Sequence, residues 1–146
     1  MRTLSESLLP KDTHLQLKGS NPGDILEELL MPLRQDSRVR DWEGFRSSII
    51  ATPPAVSPGE NSCSMTLHHS RSDTVTSLVL AVGRSQSESK SHLYVVAGIP
   101  SALNPEYLRV LGAISRVCQE SESIKELLEV PTHAEFISCL EKGCSQ

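Results

Sequence analysis

Cys63-Ser64-Met65-Thr66-Leu67-His68-His69-Ser70-Arg71-Ser72-Asp73, followed closely by Val75-Thr76-Ser77-Leu78-Val79-Leu80-Ala81-Val82, sets the frame for the whole chain. The first stretch reads as an extended run through Leu67 that closes on two histidines and opens a polar turn over Ser70–Asp73. The second reads as an apolar strand over 75–82, because aliphatic and β-branched residues suit a pleated, buried surface. Two histidines at the mouth of a strand stand where side chains meet a partner instead of filling a core. Imidazole is the side chain best suited to taking and giving a group near neutral pH. The plainer alternative is a surface histidine pair at a strand end.

On the N-terminal side, residues 1–12 read as a loose lead-in and Thr13–Leu17 as a short strand. Asn21-Pro22 starts a helix, with Asn as N-cap, Pro at the first helical position and Asp24 at the positive dipole end. Ile25, Leu26, Leu29, Leu30 and Leu33 share one face, and Pro32 kinks or ends that helix early. Asp41 caps a second helix, with Trp42, Phe45 and Ile49 at helical spacing. Three prolines and a glycine make 52–61 a loop.

On the C-terminal side, a strand follows over Leu93–Ile99, and Arg84–Ser91 reads as a solvated connection. Asn104-Pro105-Glu106 repeats the Asn-cap, Pro-start pattern, with Val110, Leu111, Ile114, Val117 and Cys118 on one face. Ser123–Glu126 and Thr132–Glu135 match capping boxes. Phe136, Ile137 and Leu140 bury the last helix, and Gly143 is a plausible stop. Helices, strands, then helices predict an α/β fold: a single mixed β-sheet flanked by helices on both faces.

The length of 146 residues fits one domain, 1–146. Apolar residues make up 38%, so the core must come from a few well-patterned segments. Aromatics at 3% leave no stacking platforms for single-stranded nucleic acid. A net charge of −4 without a basic stripe removes the electrostatic basis for binding DNA or an acidic membrane. No apolar run approaches the roughly 20 residues that span a bilayer, and the N-terminus lacks a signal-peptide core, so the expected location is the cytoplasm. Cys63, Cys118, Cys139 and Cys144 form no CxxC pair, and no disulfide is expected there.

Other constellations fit less well. Cys63, His68, His69 and His92 match no compact zinc spacing, so no metal is expected. A hydrolase triad from Ser64, Ser70 or Ser72 with a histidine and Asp73 lacks a nucleophile elbow. Neither a Walker loop nor GxGxxG is present, and no cofactor is expected. His14 and His133 read as surface residues, and Cys118 and Cys139 as small core residues.

Taken in order, several segments resemble the enzyme IIA domains of the bacterial sugar phosphotransferase system, of the fructose/mannitol type, and their nitrogen-regulatory relatives. The segments are Leu26–Leu30, Val39–Phe45, Met65–Arg71, Leu78–Gly83, Leu93–Pro100, the helix from Asn104, and Pro131–Phe136. The resemblance spans about Leu8 to Leu140. It implies the fold shared with anion-exchanger cytoplasmic domains. It also implies a histidine that accepts a phosphoryl group from the phosphocarrier HPr and passes it to a IIB domain, or holds it as a regulatory signal. A membrane transporter is then among the indirect partners. Matched by position, the acceptor is His69, with His68 where the family has proline. Arg71 follows as the residue able to take two phosphoryl oxygens. Tyr107 stands where many members carry a second active-site histidine. Ala51-Thr52-Pro53-Pro54 stands where many carry an Arg-Glu pair, and the glycines that approach the family's strand are replaced by Gly59-Glu60-Asn61-Ser62-Cys63. These departures imply either a phosphohistidine carrier with altered charge stabilisation or a regulatory docking module without phosphotransfer.

Overall fold

The structure, a computed structural model, describes residues 6–57, 63–86, 91–102, 105–119 and 121–144. Five strands form one sheet: β1 (Thr13–His14), β2 (Ala55–Ser57), β3 (Cys63–Ser72), β4 (Val79–Gln86) and β5 (Ser91–Pro100). Their order is β1-β4-β5-β3-β2. The pairs β1/β4 and β3/β5 are parallel, and β4/β5 and β2/β3 are antiparallel, so the sheet is mixed as expected. The chain leaves β3, skips one position to lay down β4, and returns with β5 in the gap.

Among the described residues, the helices that cover the sheet are α1 (Pro22–Leu30), α2 (Trp42–Ala51), α3 (Pro105–Gln119), α4 (Ser121–Glu129) and α5 (His133–Cys144). Ile25, Leu29, Leu30, Phe45 and Ile49 from α1 and α2 pack with Val79, Ala81 and Val96 on one face. Val110, Ile114, Leu127, Leu128, Phe136 and Leu140 from α3–α5 pack with Leu80, Val82, Leu93, Val95 and Ala97 on the other. Being covered on both faces explains why the central strands read as near-continuous apolar runs.

The local start signals operate as read. Asn21 Oδ1 accepts the Asp24 N–H at 2.9 Å, and Asp41 Oδ1 accepts the Gly44 N–H at 3.1 Å. Thr132 Oγ1 accepts the Glu135 N–H at 3.2 Å. Helix α1 ends at Leu30 and Pro32 sits in a 3-10 turn, Met31–Leu33. Asn104 lies outside the described residues.

Several boundaries differ from expectation. Strand β3 does not stop at Leu67; it continues to Ser72, because β5 supplies a partner at every step to Ser72 opposite Pro100. The turn is therefore Asp73–Thr74, and the histidines lie within the strand. Residue Val75 makes only an isolated bridge to Val39, and β4 starts at Val79. It then runs through Gly83 into Arg84-Ser85-Gln86, the first three residues of the segment expected to be solvated, since β5 pairs with it as far as Ser91. Residues 55–57, expected as loop, add an edge strand. Ser123 lies inside α4 instead of at its cap, and α5 continues through Gly143. Leu8 and Asp12, in the expected loose lead-in, are fully buried.

Glycine is required at position 98 by close approach. A Cβ there would lie 2.6 Å from Phe45 Cε1 and 3.3 Å from Val75 Cγ1. Phe45 is itself fully buried and cannot swing away. Gly98→Ala is expected to lower stability by about 1–3 kcal/mol, the usual cost of overpacking a dense core. Urea unfolding at pH 7 checks this; an unchanged midpoint would show that the α2 face yields.

Candidate functional site

Register determines which histidine faces which layer. Met65 and Leu67 on β3 pack toward the α3–α5 layer. Side chains alternate along a strand, so His69 and Arg71 belong to that same face, while His68 and Ser70 face α2. The Ser70 hydroxyl meets the Ser48 hydroxyl of α2, which confirms the alternation. His69 is exposed and His68 is half-buried. Burial, and secondarily the adjacent His69, push the His68 imidazole below its ordinary value, so it stays neutral at physiological pH.

Arg71 is exposed, and its Nη2 donates to the Ser101 carbonyl at 2.7 Å. Ser101 directly follows β5, so the two parallel strands are tied at their carboxyl ends. That tether orients the guanidinium and leaves most of its N–H groups for solvent or a ligand. Tyr107 lies in the first turn of α3, half-buried against the cluster that holds Leu67 and Ile99. His69 and Arg71 thus share one face, at the end of the sheet where β3 and β5 finish, and Tyr107 packs in the helical layer that covers this face. Ligand crevices in open α/β sheets lie at such carboxyl ends. The Ser101 carbonyl was invisible to sequence reading, because a backbone acceptor carries no residue-type signal.

The remaining histidines are engaged elsewhere. His92 Nε2 lies 2.6 Å from Thr66 Oγ1, and its ring packs on Tyr94 with centroids 4.3 Å apart. His92 pairs opposite Ser64 and His68 opposite Val96, so the register holds them four strand positions apart, roughly 13 Å. No group of three metal-ligating side chains gathers among the described residues. His133 Nδ1 lies 2.8 Å from Thr13 Oγ1, so it joins α5 to β1 and is half-buried instead of free on the surface. His14 is also half-buried, and burial lowers its pKa.

Residues 6–143 match the family described as phosphoenolpyruvate-dependent sugar phosphotransferase system, EIIA 2. The chain belongs to this family. Its members act as IIA-type phosphotransfer and regulatory proteins, alongside phosphocarriers and other components of the phosphotransferase system. The fold is that of solved relatives. Nitrogen regulatory protein IIA-Ntr from Neisseria meningitidis superposes with a TM-score of 0.74 at 17% identity, covering 92% of this chain and 97% of that one. The PTS IIA (PtxA) structure from Streptococcus mutans gives 0.64 at 16% identity, covering 92% and 90%. A PTS IIA domain from Streptococcus pyogenes gives 0.57 at 14% identity over the same shares. No curated protein matches the chain significantly. Among the described residues no helix is long and apolar enough to cross a membrane.

Proposed function

We propose that this IIA-type protein accepts a phosphoryl group on His69 from an HPr-like phosphocarrier and passes it to a IIB-type or regulatory partner, in sugar uptake or its regulation. The observation that carries this is the exposed His69 imidazole on the same strand face as Arg71, near the carboxyl ends of β3 and β5. An unprotonated ring nitrogen attacks phosphorus, the P–N bond to the donor imidazole breaks, and the donor ring leaves with its electron pair. The Arg71 guanidinium takes charge on the phosphoryl oxygens, and the Tyr107 hydroxyl adds a neutral donor. The single domain, 1–146, carries the whole reaction in the cytoplasm without a metal or cofactor.

A regulatory docking role without phosphotransfer is the second reading. It is favoured by Tyr107, a side chain that cannot carry positive charge where a second histidine could, and by the absence of arginine in Ala51-Thr52-Pro53-Pro54. Incubation with phosphoenolpyruvate, enzyme I and HPr, followed by intact-mass measurement, separates the two. Gain of one phosphoryl mass supports the carrier reading; an unchanged mass under conditions that load a control IIA protein supports docking.

A further inference from the structure

Arg84, on β4, is only 9% exposed and lines a cavity of about 320 Å³ with Leu15, Gln16 and Leu17. Its Nε donates to the Leu15 carbonyl at 2.9 Å, and Nη1 donates to the carbonyls of Leu127 at 3.1 Å and Val130 at 2.5 Å. A guanidinium carries five N–H bonds. Three are thereby used, and among the described residues the two on Nη2 have no acceptor and no carboxylate pairs with the charge. The carbonyls at the end of α4 offset part of the positive charge, as a cation at a helix C-terminus does. They are dipoles, however, and leave the unit charge without a counter-ion. Nη2 keeps contact with solvent, so an anion that enters the cavity can reach its donors.

We propose that this cavity binds a small organic oxyanion, a carboxylate or a phosphate ester, held by Arg84 Nη2 and the Gln16 side-chain amide. The volume lies at the low end of the roughly 300–1,000 Å³ of small-molecule sites, which suits a compact metabolite. Gln16 is exposed at the mouth and its amide supplies a second donor. The site is separate from His69. Arg84 pairs opposite Leu93 and His69 opposite Ala97, which sets them four positions and two strands apart, roughly 16 Å. The proposal therefore stands or falls independently of phosphotransfer.

The experiment uses the full chain and NMR amide shifts at residues 15–17 and 84, titrated separately with inorganic phosphate and with citrate against chloride at constant ionic strength. Saturable shifts confined to these residues are expected. Phosphate alone would identify a phosphate ester as the ligand class, citrate alone a carboxylate, and both a general oxyanion site. The decisive variant is Gln16→Glu, which leaves Arg84 and its three carbonyl bonds intact and offers the guanidinium a tethered carboxylate. It is expected to weaken oxyanion binding at least about tenfold, by occupying the Nη2 donors and adding repulsion. If neither probe gives saturable shifts, or if Gln16→Glu binds as well as wild type, Arg84 is solely a cap for α4 and the proposal is overturned.

Discussion

His69→Ala is expected to take up no phosphoryl group from HPr, while the wild-type protein becomes singly labelled. Removing the nucleophile removes the reaction itself, which no remaining donor can replace. The chain has five histidines, and the other four are poorly placed to substitute. His92 and His133 are bonded to threonine hydroxyls, and His14 and His68 are half-buried. His68→Ala is expected to slow labelling by less than about tenfold, because its ring faces α2 and cannot touch a group held on the opposite face. Arg71→Ala is expected to slow it by about 10²–10³, the usual cost of losing one charge-stabilising donor. Arg71→Lys should recover part of the loss, since it restores the charge but not the planar fork. Single-turnover labelling followed by intact mass gives all four rates. Label retained by His69→Ala would move the acceptor elsewhere. Arg71→Ala at the wild-type rate would leave Arg71 as a tether to Ser101 alone.

What the sequence could reveal divides along physical lines. Asn21 and Asp41 are local signals, whose partners lie three residues away, and both were legible as caps. The run Leu80, Ala81, Val82 was legible as buried strand. The ends of the strands were not, because they are set by the partner strand. Ser70-Arg71-Ser72 looks like a turn until β5 is seen to pair with it through Pro100. Arg84 shows the same effect more sharply. Its charge suggested solvent, yet Leu80, Val82 and Arg84 alternate onto one face, and that continued alternation was the available clue. Its acceptors, Leu15, Leu127 and Val130, come from distant parts of the chain. At the candidate site His69 and Arg71 came from the resemblance by position, and alternation puts them on one face only once β3 is seen to continue to Ser72. The Ser101 tether and the charged network around Asp12 did not, since each depends on tertiary contacts between segments without periodicity.

That network supports the second large expected effect. Asp12 and Asp36 have side chains 0% and 4% exposed, and Arg38 bridges them through Nη2 at 3.3 and 2.7 Å. Arg38 Nε adds a 2.8 Å bond to Asp36, and Nη1 donates to the carbonyls of Glu6 and Ser7. Lys11 also reaches Asp36, at 2.8 Å, but is 45% exposed. Arg38→Ala is expected to cost about 3 kcal/mol at pH 7, at the low end for breaking a buried ion pair, because Lys11 still contacts both carboxylates. Lys11→Ala, at the solvent side, should cost about 1 kcal/mol or less. The pH dependence supplies a sharper check. Hydrogen bonds from Arg38 hold the Asp36 carboxyl well below the usual carboxylate range. A carboxyl depressed on folding contributes stability above its unfolded value, near 3.8, and loses that contribution as pH falls toward its folded value. Arg38→Ala removes most of this contribution, leaving only the part that Lys11 supplies, so the gap between variant and wild type should be widest above about pH 5 and should narrow below pH 4. Asp12 acts in the opposite direction. Burial raises its carboxyl, so its contribution is present at low pH and is lost as pH rises through its folded value. It therefore makes the wild type's own acid loss shallower without reversing the narrowing. Urea unfolding of both proteins from pH 7 to pH 3 measures the gap. A gap that stays constant or widens toward pH 3 would show that Arg38 acts by packing and by its bonds to Glu6 and Ser7, not through the carboxylates.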